Sequence, residues 1–218
     1  MGTLARGLFI TLEGPDGSGK TTQAALLYEW LAAEGYPVLQ TREPGGTRIG
    51  ERIRAVLHDP VHTEMAAPAE ILLYSAARAQ LVAEVIRPAL AAGQLVLCDR
   101  YFDSTYAYQG YGRGLPLDVL REITRFATGG LVPDVTFYLD LPPAVGLQRR
   151  IQGGGEINRL DQETLAFHER VRAGYLELLQ QEPQRWVRLD AGGTIEDVQA
   201  ALRAQLASWL AWHLAPSF

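Results

Sequence analysis

Short apolar runs alternate with longer helical patterns along this chain. Positions 7–13 form an apolar, β-prone run that stops at a glycine. Positions 22–34 then carry Ala25, Leu26, Tyr28 and Leu31 at helical spacing, until Gly35 closes the helix. Further strands are predicted over 37–41, 95–98, 135–139 and 186–189. Helices are predicted over 47–57, 69–92, 117–127, 143–152, 162–181 and 194–213, with Pro88 as a candidate kink. Thr194 followed three residues later by Asp197 has the form of a capping box.

Strands separated by helices imply right-handed crossovers and a parallel sheet with helices on both faces. Such sheets bind ligands outside the carboxyl ends of their strands. Segment 14–21, Arg42-Glu43-Pro44 and Asp99-Arg100-Tyr101 all follow strands, so they should converge on one face.

Composition bounds the reading. A chain of 218 residues, 47% hydrophobic and 21% charged, has the makings of one domain, 1–218, with a full core. The net charge of −5 argues against nucleic acid or an anionic membrane as partner of the surface as a whole. Cys98 is the single cysteine and sits in an apolar run, which suits a buried thiol in the cytoplasm. No uninterrupted apolar stretch reaches about 18 residues, so neither secretion nor membrane spanning is expected.

The chemistry begins with Lys20, the only lysine among 20 basic residues. It stands in Gly14-Pro15-Asp16-Gly17-Ser18-Gly19-Lys20-Thr21, followed by Thr22, and the octet fits G-x-x-x-x-G-K-[ST]. A strand precedes the octet and a helix follows it, as that phosphate-cradling loop requires. The helix N-terminus adds partial positive charge where phosphates would lie. The expected fold is therefore α/β, a three-layer P-loop NTPase fold with a five-stranded parallel sheet flanked by helices.

Such a loop does not say what receives the phosphoryl group. A kinase, a nucleotide-driven switch and a nucleic-acid- or protein-acting ATPase all use it. With no second lysine the chain lacks the N-K-x-D element of guanine-specific switches, and its acidic balance disfavours a DNA-acting ATPase. Its arginines suit a second, small anion. Tyr74 and Arg78 share a face of the long helix, and an arginine in so apolar a helix needs a partner. Arg100 follows the third strand, where a guanidinium can clamp phosphate oxygens. Asp99 beside it occupies the place where Mg²⁺ is held together with the Thr21 hydroxyl. Segment 101–111, containing Ser104, Thr105, Tyr108 and Gln109, mixes aromatics with small hydroxyls, as a base-binding pocket does. Asp16 within an anion-binding loop makes sense if it accepts a hydrogen bond from the other substrate.

Four motifs in order carry a resemblance over 7–202: the loop with its acidic third residue, Thr41-Arg42-Glu43-Pro44-Gly45-Gly46-Thr47, Leu73-Tyr74-Ser75-Ala76-Ala77-Arg78-Ala79-Gln80, and Asp99-Arg100-Tyr101 through Tyr108-Gln109-Gly110. Together they resemble bacterial thymidylate kinase. The resemblance implies transfer of the ATP γ-phosphoryl group to dTMP, with ATP held by Lys20 and the loop amides. It implies Mg²⁺ at Thr21 and Asp99, and a homodimer. Asp16 would contact the nucleoside 3′-hydroxyl, and Arg78 and Arg100 the dTMP site, Arg100 chiefly its phosphate. Tyr74 would stack on the base, Thr105 read its edge, and Pro44 and Leu57 line its pocket. Tyr108 would crowd the sugar 2′ position. A short mobile lid is expected over about 149–160, less rich in arginine than the family pattern, with Gly153-Gly154-Gly155 within it. Arg149, Arg150 and Arg159 are its candidate cations, Arg149 with Arg159 preferred. Trp209 and Trp212 hint at a subunit interface. Another nucleoside monophosphate or deoxynucleoside kinase is the alternative, and an ATP-dependent binding switch a more distant one.

Overall fold

The computed structural model describes residues 6–152 and 159–213. The triglycine expected in the lid and the side chain of Trp212 lie outside the described residues. In chain order the first elements are β1 (Leu8–Glu13), α1 (Lys20–Ala33), β2 (Val38–Arg42), α2 (Arg48–His58) and α3 (Ala67–Leu81). A π-helical turn over Val82–Ile86 leads into α4 (Arg87–Ala91) and β3 (Leu95–Asp99). Then follow α5 (Phe102–Thr105), a second π-helical stretch (Tyr106–Gly112), α6 (Leu117–Thr128), β4 (Val135–Asp140) and α7 (Pro143–Gln152). The chain closes with α8 (Leu165–Gln181), β5 (Trp186–Asp190) and α9 (Ile195–His213).

Among the described residues five parallel strands form one sheet in the order β2-β3-β1-β4-β5. Strand alternation divides the interior. Leu8, Ile10 and Leu12 of β1, Leu95 and Leu97 of β3, and Val135, Phe137 and Leu139 of β4 face α1 and α9. Phe9, Val96, Cys98 and Tyr138 face the other way, toward α3, α6 and α8. Burial of both faces explains why the three central strands read as continuous apolar runs. Helix α9 supplies Val198, Leu202, Leu206 and Leu210 at i, i+4 spacing.

The helix expected from the spacing of Ala25, Leu26, Tyr28 and Leu31 forms as α1, and the stripe it buries is Gln23, Ala24, Leu27 and Leu31. Two local expectations need correction. The helix predicted over 69–92 starts earlier, at Ala67, and runs without a break to Ala91, but it is π-helical rather than α-helical over Val82–Ile86. Pro88 has no N–H to donate and its ring crowds the preceding turn, and the π-helical turn comes just before it. Segment 101–111, predicted only as a pocket wall, is helical over nearly all its length. The capping pattern at Thr194 does form, with Thr194 Oγ1 accepting from Asp197 N–H at 3.2 Å and Asp197 Oδ2 accepting from Thr194 N–H at 3.3 Å.

The order places β1 between β3 and β4. The chain leaves β1 over one side of the sheet and returns on the other, so a crevice opens at the carboxyl ends of β1 and β3.

Candidate active site

Gly14 through Gly19 wrap the end of β1, with φ of 151° at Gly14, 77° at Gly17 and 87° at Gly19, a region that side chains rarely enter. At Gly17 a side chain would also collide with the backbone of Gly146 in α7, against which the loop is packed. Lys20 opens α1 and is buried. Its Nζ donates to Gly14 O at 3.0 Å, Pro15 O at 2.8 Å and Ser18 Oγ at 3.4 Å, all neutral acceptors. Burial, joined by the charge of Arg100, pushes its pKa down to about 8. On the next residue, Thr21 Oγ1 donates to Asp99 Oδ2 at 2.6 Å, so the two expected metal-site oxygens meet.

Arg100 follows β3 with φ of 70°, the only non-glycine residue in the left-handed region among those described. Its Nη2 pairs with Asp16 Oδ1 at 2.6 Å and donates to Tyr108 Oη at 3.2 Å. Its Nη1 donates to Gly14 O at 3.1 Å, Ser104 Oγ at 2.9 Å and Tyr175 Oη at 3.2 Å. Tyr108 Oη in turn donates to Asp16 Oδ2 at 2.7 Å. Burial alone would raise the Asp16 pKa, but Arg100 and Lys20 hold it well below the usual carboxylate range.

Arg78 on α3 is 1% exposed, and the partner it requires is Glu43, at 2.7 Å. The carboxylate comes from the loop after β2, next to the cis Glu43–Pro44 bond. Arg78 Nη2 also donates to Thr105 Oγ1 at 3.0 Å. Its Nη1 is buried with no protein partner among the described residues, and the side chain lines the cleft. Burial pushes the Glu43 pKa up, against the pull of Arg78.

These groups line a single cavity of about 450 Å³. Gly17, Gly19, Lys20, Thr21, Thr22 and Asp99 form one end, and Asp16, though in the loop, turns to Arg100 and Tyr108 of the other. Pro44, Tyr74, Arg78, Arg100, Ser104, Thr105, Tyr108 and Gln109 form the other, and Arg149 and Arg150 also reach it. Of the remaining expected residues, Gly14, Pro15 and Ser18 belong to the loop but do not line the space. Leu57 is buried behind it, and its carbonyl accepts from Arg159 Nε at 3.4 Å. Arg159 does not face the cavity: it is buried and pairs with Glu70, which also accepts from Arg113 Nε at 2.8 Å and Gln109 Nε2 at 2.8 Å. Arg149 Nη1 meanwhile donates to Ala191 O at 2.9 Å.

Residues not singled out from the sequence also face the cleft. Arg54 of α2 lines it and donates to Pro44 O at 2.9 Å. His58 lines it in neutral form, since burial and Arg54 lower its pKa to about 4. Glu43 was visible only as part of a motif, yet Arg78's need for a carboxylate was a signal that could have found it.

The arrangement offers a backbone-and-ammonium cradle for one anion and a guanidinium-lined pocket with aromatic walls for a second. The sequence model of the family described as thymidylate kinase matches residues 12–202. The chain is similar to the thymidylate kinase of Roseiflexus sp. (strain RS-1), 56% identical over 215 residues, covering 94% of this chain and 95% of that one. It is also similar to the thymidylate kinase of Deinococcus radiodurans, 55% identical over 201 residues, covering 92% and 97% respectively. The thymidylate kinase of Herpetosiphon aurantiacus is 52% identical over 209 residues, covering 85% and 89%.

Proposed function

The chain belongs to the thymidylate kinase family, and from that premise we propose how its cleft passes the ATP γ-phosphoryl group to dTMP. The observation that carries the reading is the contact between the two ends: Arg100, of the acceptor pocket, donates to the carbonyl of Gly14 in the phosphate loop at 3.1 Å.

ATP lies along the loop amides, and Lys20 exchanges its neutral carbonyl partners for phosphate oxygens. The Thr21 hydroxyl and the Asp99 carboxylate are hard oxygen donors 2.6 Å apart, a set that fits Mg²⁺ and would hold it. When bound, the ion neutralises charge on the donor phosphates. The acceptor phosphate, with a second pKa of about 6, is already mostly a dianion at neutral pH, so no general base is needed. Arg100 holds that phosphate, and Asp16 accepts from the sugar 3′-hydroxyl. Tyr108 occupies the 2′ side, Tyr74 covers the base, and Thr105 and the free Nη1 of Arg78 face its edge. Positioning and electrostatic stabilisation then account for nearly all of the catalysis. Of the three lid-region arginines, Arg149 and Arg150 line the cavity. Arg150 is paired with Asp161 at 2.6 Å, whereas the hydrogen bonds of Arg149 go to the carbonyls of Ala191 and Gly192, which supports Arg149 as the cation on the transferring group. Arg159, tied to Glu70 and Leu57, has no comparable support.

We also infer a homodimer. Ile49 and Val56 of α2, Leu72 of α3, and Val119 and Phe126 of α6 are exposed, Phe126 to 92%, on helices that pack side by side. Trp209, by contrast, is half-buried against the core. No helix among the described residues is long and apolar enough to cross a membrane. Cys98 is a free buried thiol, which suits the reducing cytoplasm.

Coupled ADP release across a panel of nucleoside monophosphates tests the assignment. dTMP should be the preferred acceptor with ATP. A better acceptor than dTMP, or ATP turnover indifferent to dTMP, would overturn it.

A further inference from the structure

Glu13, the last residue of β1, is fully buried behind the cleft and does not line it. It lies on the sheet face toward α8. Its Oε1 accepts from Tyr101 N–H at 2.7 Å and Ser104 N–H at 3.3 Å. Its Oε2 accepts from Ser104 Oγ at 2.6 Å and Tyr175 Oη at 2.8 Å. The same two hydroxyls flank Arg100 Nη1, at 2.9 and 3.2 Å.

The protons in this arrangement are constrained. A guanidinium nitrogen can only donate, so a hydroxyl that bonds Arg100 offers it a lone pair, the two protons of Nη1 being shared among Ser104, Tyr175 and the Gly14 carbonyl. Each can do so only if its single proton points elsewhere. In its ionised form Glu13 only accepts, and it then takes both protons. The hydroxyls lie 2.9 Å apart, so turning one disturbs the other.

We propose that Glu13 is a positioning residue that works through Ser104 and Tyr175 to hold the Arg100 guanidinium in the orientation that receives the acceptor phosphate. The backbone gives a second reason. Arg100 has its φ of 70° between an N–H bonded to Leu12 O at 2.9 Å and the Tyr101 N–H bonded to Glu13. Glu13 therefore fixes the strained residue and its side chain together. The charged and titratable groups around Glu13 come from several elements: Lys20 on α1, Cys98 on β3, Arg100 after it, Asp103 on α5, Tyr175 on α8 and, as its register partner on β4, Tyr138. Burial, then Asp103, push the Glu13 carboxyl up to about 7, while Arg100 and the Ser104 hydrogen bond favour its ionised form. Asp103 is itself paired with Arg185 at 2.7 Å.

The inference rests on the reading of Arg100 as a phosphate ligand, and the experiment separates the two. Glu13→Gln keeps the shape but places an NH₂ donor opposite the hydroxyls, which must then turn a proton toward Arg100. Calorimetric binding of dTMP and of thymidine, which lacks the phosphate, reads the consequence. In Glu13→Gln dTMP should weaken at least tenfold, thymidine by less than twofold, and the KM for ATP should hold. Tyr175→Phe, which removes one of the two hydroxyls, should give a smaller loss, about threefold, also confined to dTMP. Equal weakening of both ligands, or unchanged dTMP binding, overturns the proposal. Should Glu13→Gln fail to fold, Tyr175→Phe decides by the same criterion. Arg100→Ala is the control. If it abolishes the preference for dTMP over thymidine while the other two variants preserve it, only the role of Glu13 fails. If Arg100→Ala itself preserves that preference, the reading of Arg100 fails and the role of Glu13 falls with it.

Discussion

The two ends of the cleft solve the problem of binding an anion in different ways. At the loop end the cation is Lys20, and its hydrogen-bond partners are carbonyls and a hydroxyl. At the pocket end each guanidinium is already matched with a carboxylate, Arg78 with Glu43 and Arg100 with Asp16. Lys20 therefore stands to gain most from an incoming phosphate, because none of its hydrogen-bond partners is charged and Asp16, Asp99 and Glu13 act on it only without direct contact. The arginines are organised before the ligand arrives, and the ligand must share them with resident anions. One end stores attraction; the other stores geometry.

Removing one member of a buried pair tests this contrast most severely. Arg78→Ala should cost about 3–5 kcal/mol in urea unfolding, because Glu43 is left buried and uncompensated. Replacing both, as Arg78→Met with Glu43→Leu, should restore much of that stability while acceptor binding stays impaired. Lys20→Ala is the counterpart. Turnover should fall at least about a hundredfold, roughly 2.7 kcal/mol of transition-state stabilisation, while unfolding stability moves by less than about 1 kcal/mol. A large stability loss in Lys20→Ala would erase the distinction between the two ends.

Acid should act through the pocket end. The folded-state pKa of Asp16 is depressed by Arg100 and Lys20 despite its burial. Its ionised form therefore contributes stability that is fully present above the unfolded value of about 4 and is lost as the pH falls below it. Melting temperatures of the ligand-free protein between pH 5 and 2.5 should drop less steeply in Asp16→Asn than in the parent. Parallel slopes would show that the pair does not set the acid limit. The smallest effect is expected from Tyr108→Phe, which removes one hydrogen bond to Asp16, worth about 0.5–1.5 kcal/mol. Competition between deoxy- and ribonucleotide acceptors should show reduced preference for the deoxy form. Unchanged selectivity would remove Tyr108 from the 2′ side.

The same contrast governs what the sequence revealed. The loop end is made of backbone and one lysine, so its spacing is a local property and Gly14 through Thr21 could be read directly. Strand order and burial followed from long apolar runs, because β1, β3 and β4 are covered on both faces. The pocket end depends on partners distant in sequence. Glu43 and Arg78 are joined only by the fold, as are Glu13 and Tyr175. Segment 102–112 escaped helical assignment because Gly110 and Gly112, with clustered tyrosines, score poorly for helix while tertiary packing overrides that preference. Arg159 looked like a lid cation because its partner Glu70 lies 89 residues away and nothing local announces the pairing.

Asp99 and Arg100 are consecutive residues, yet they serve opposite ends of the cleft, one meeting Thr21 and the other Asp16 and Tyr108. On the proposed assignment, a single peptide unit, about 3.8 Å between α-carbons, would be the ruler separating donor from acceptor. Lengthening or shortening the chain by one residue at this junction would break the backbone bonds of Arg100 and Tyr101 to Leu12 and Glu13 and move Arg100 relative to Asp99, so the spacing between the two ends would be lost.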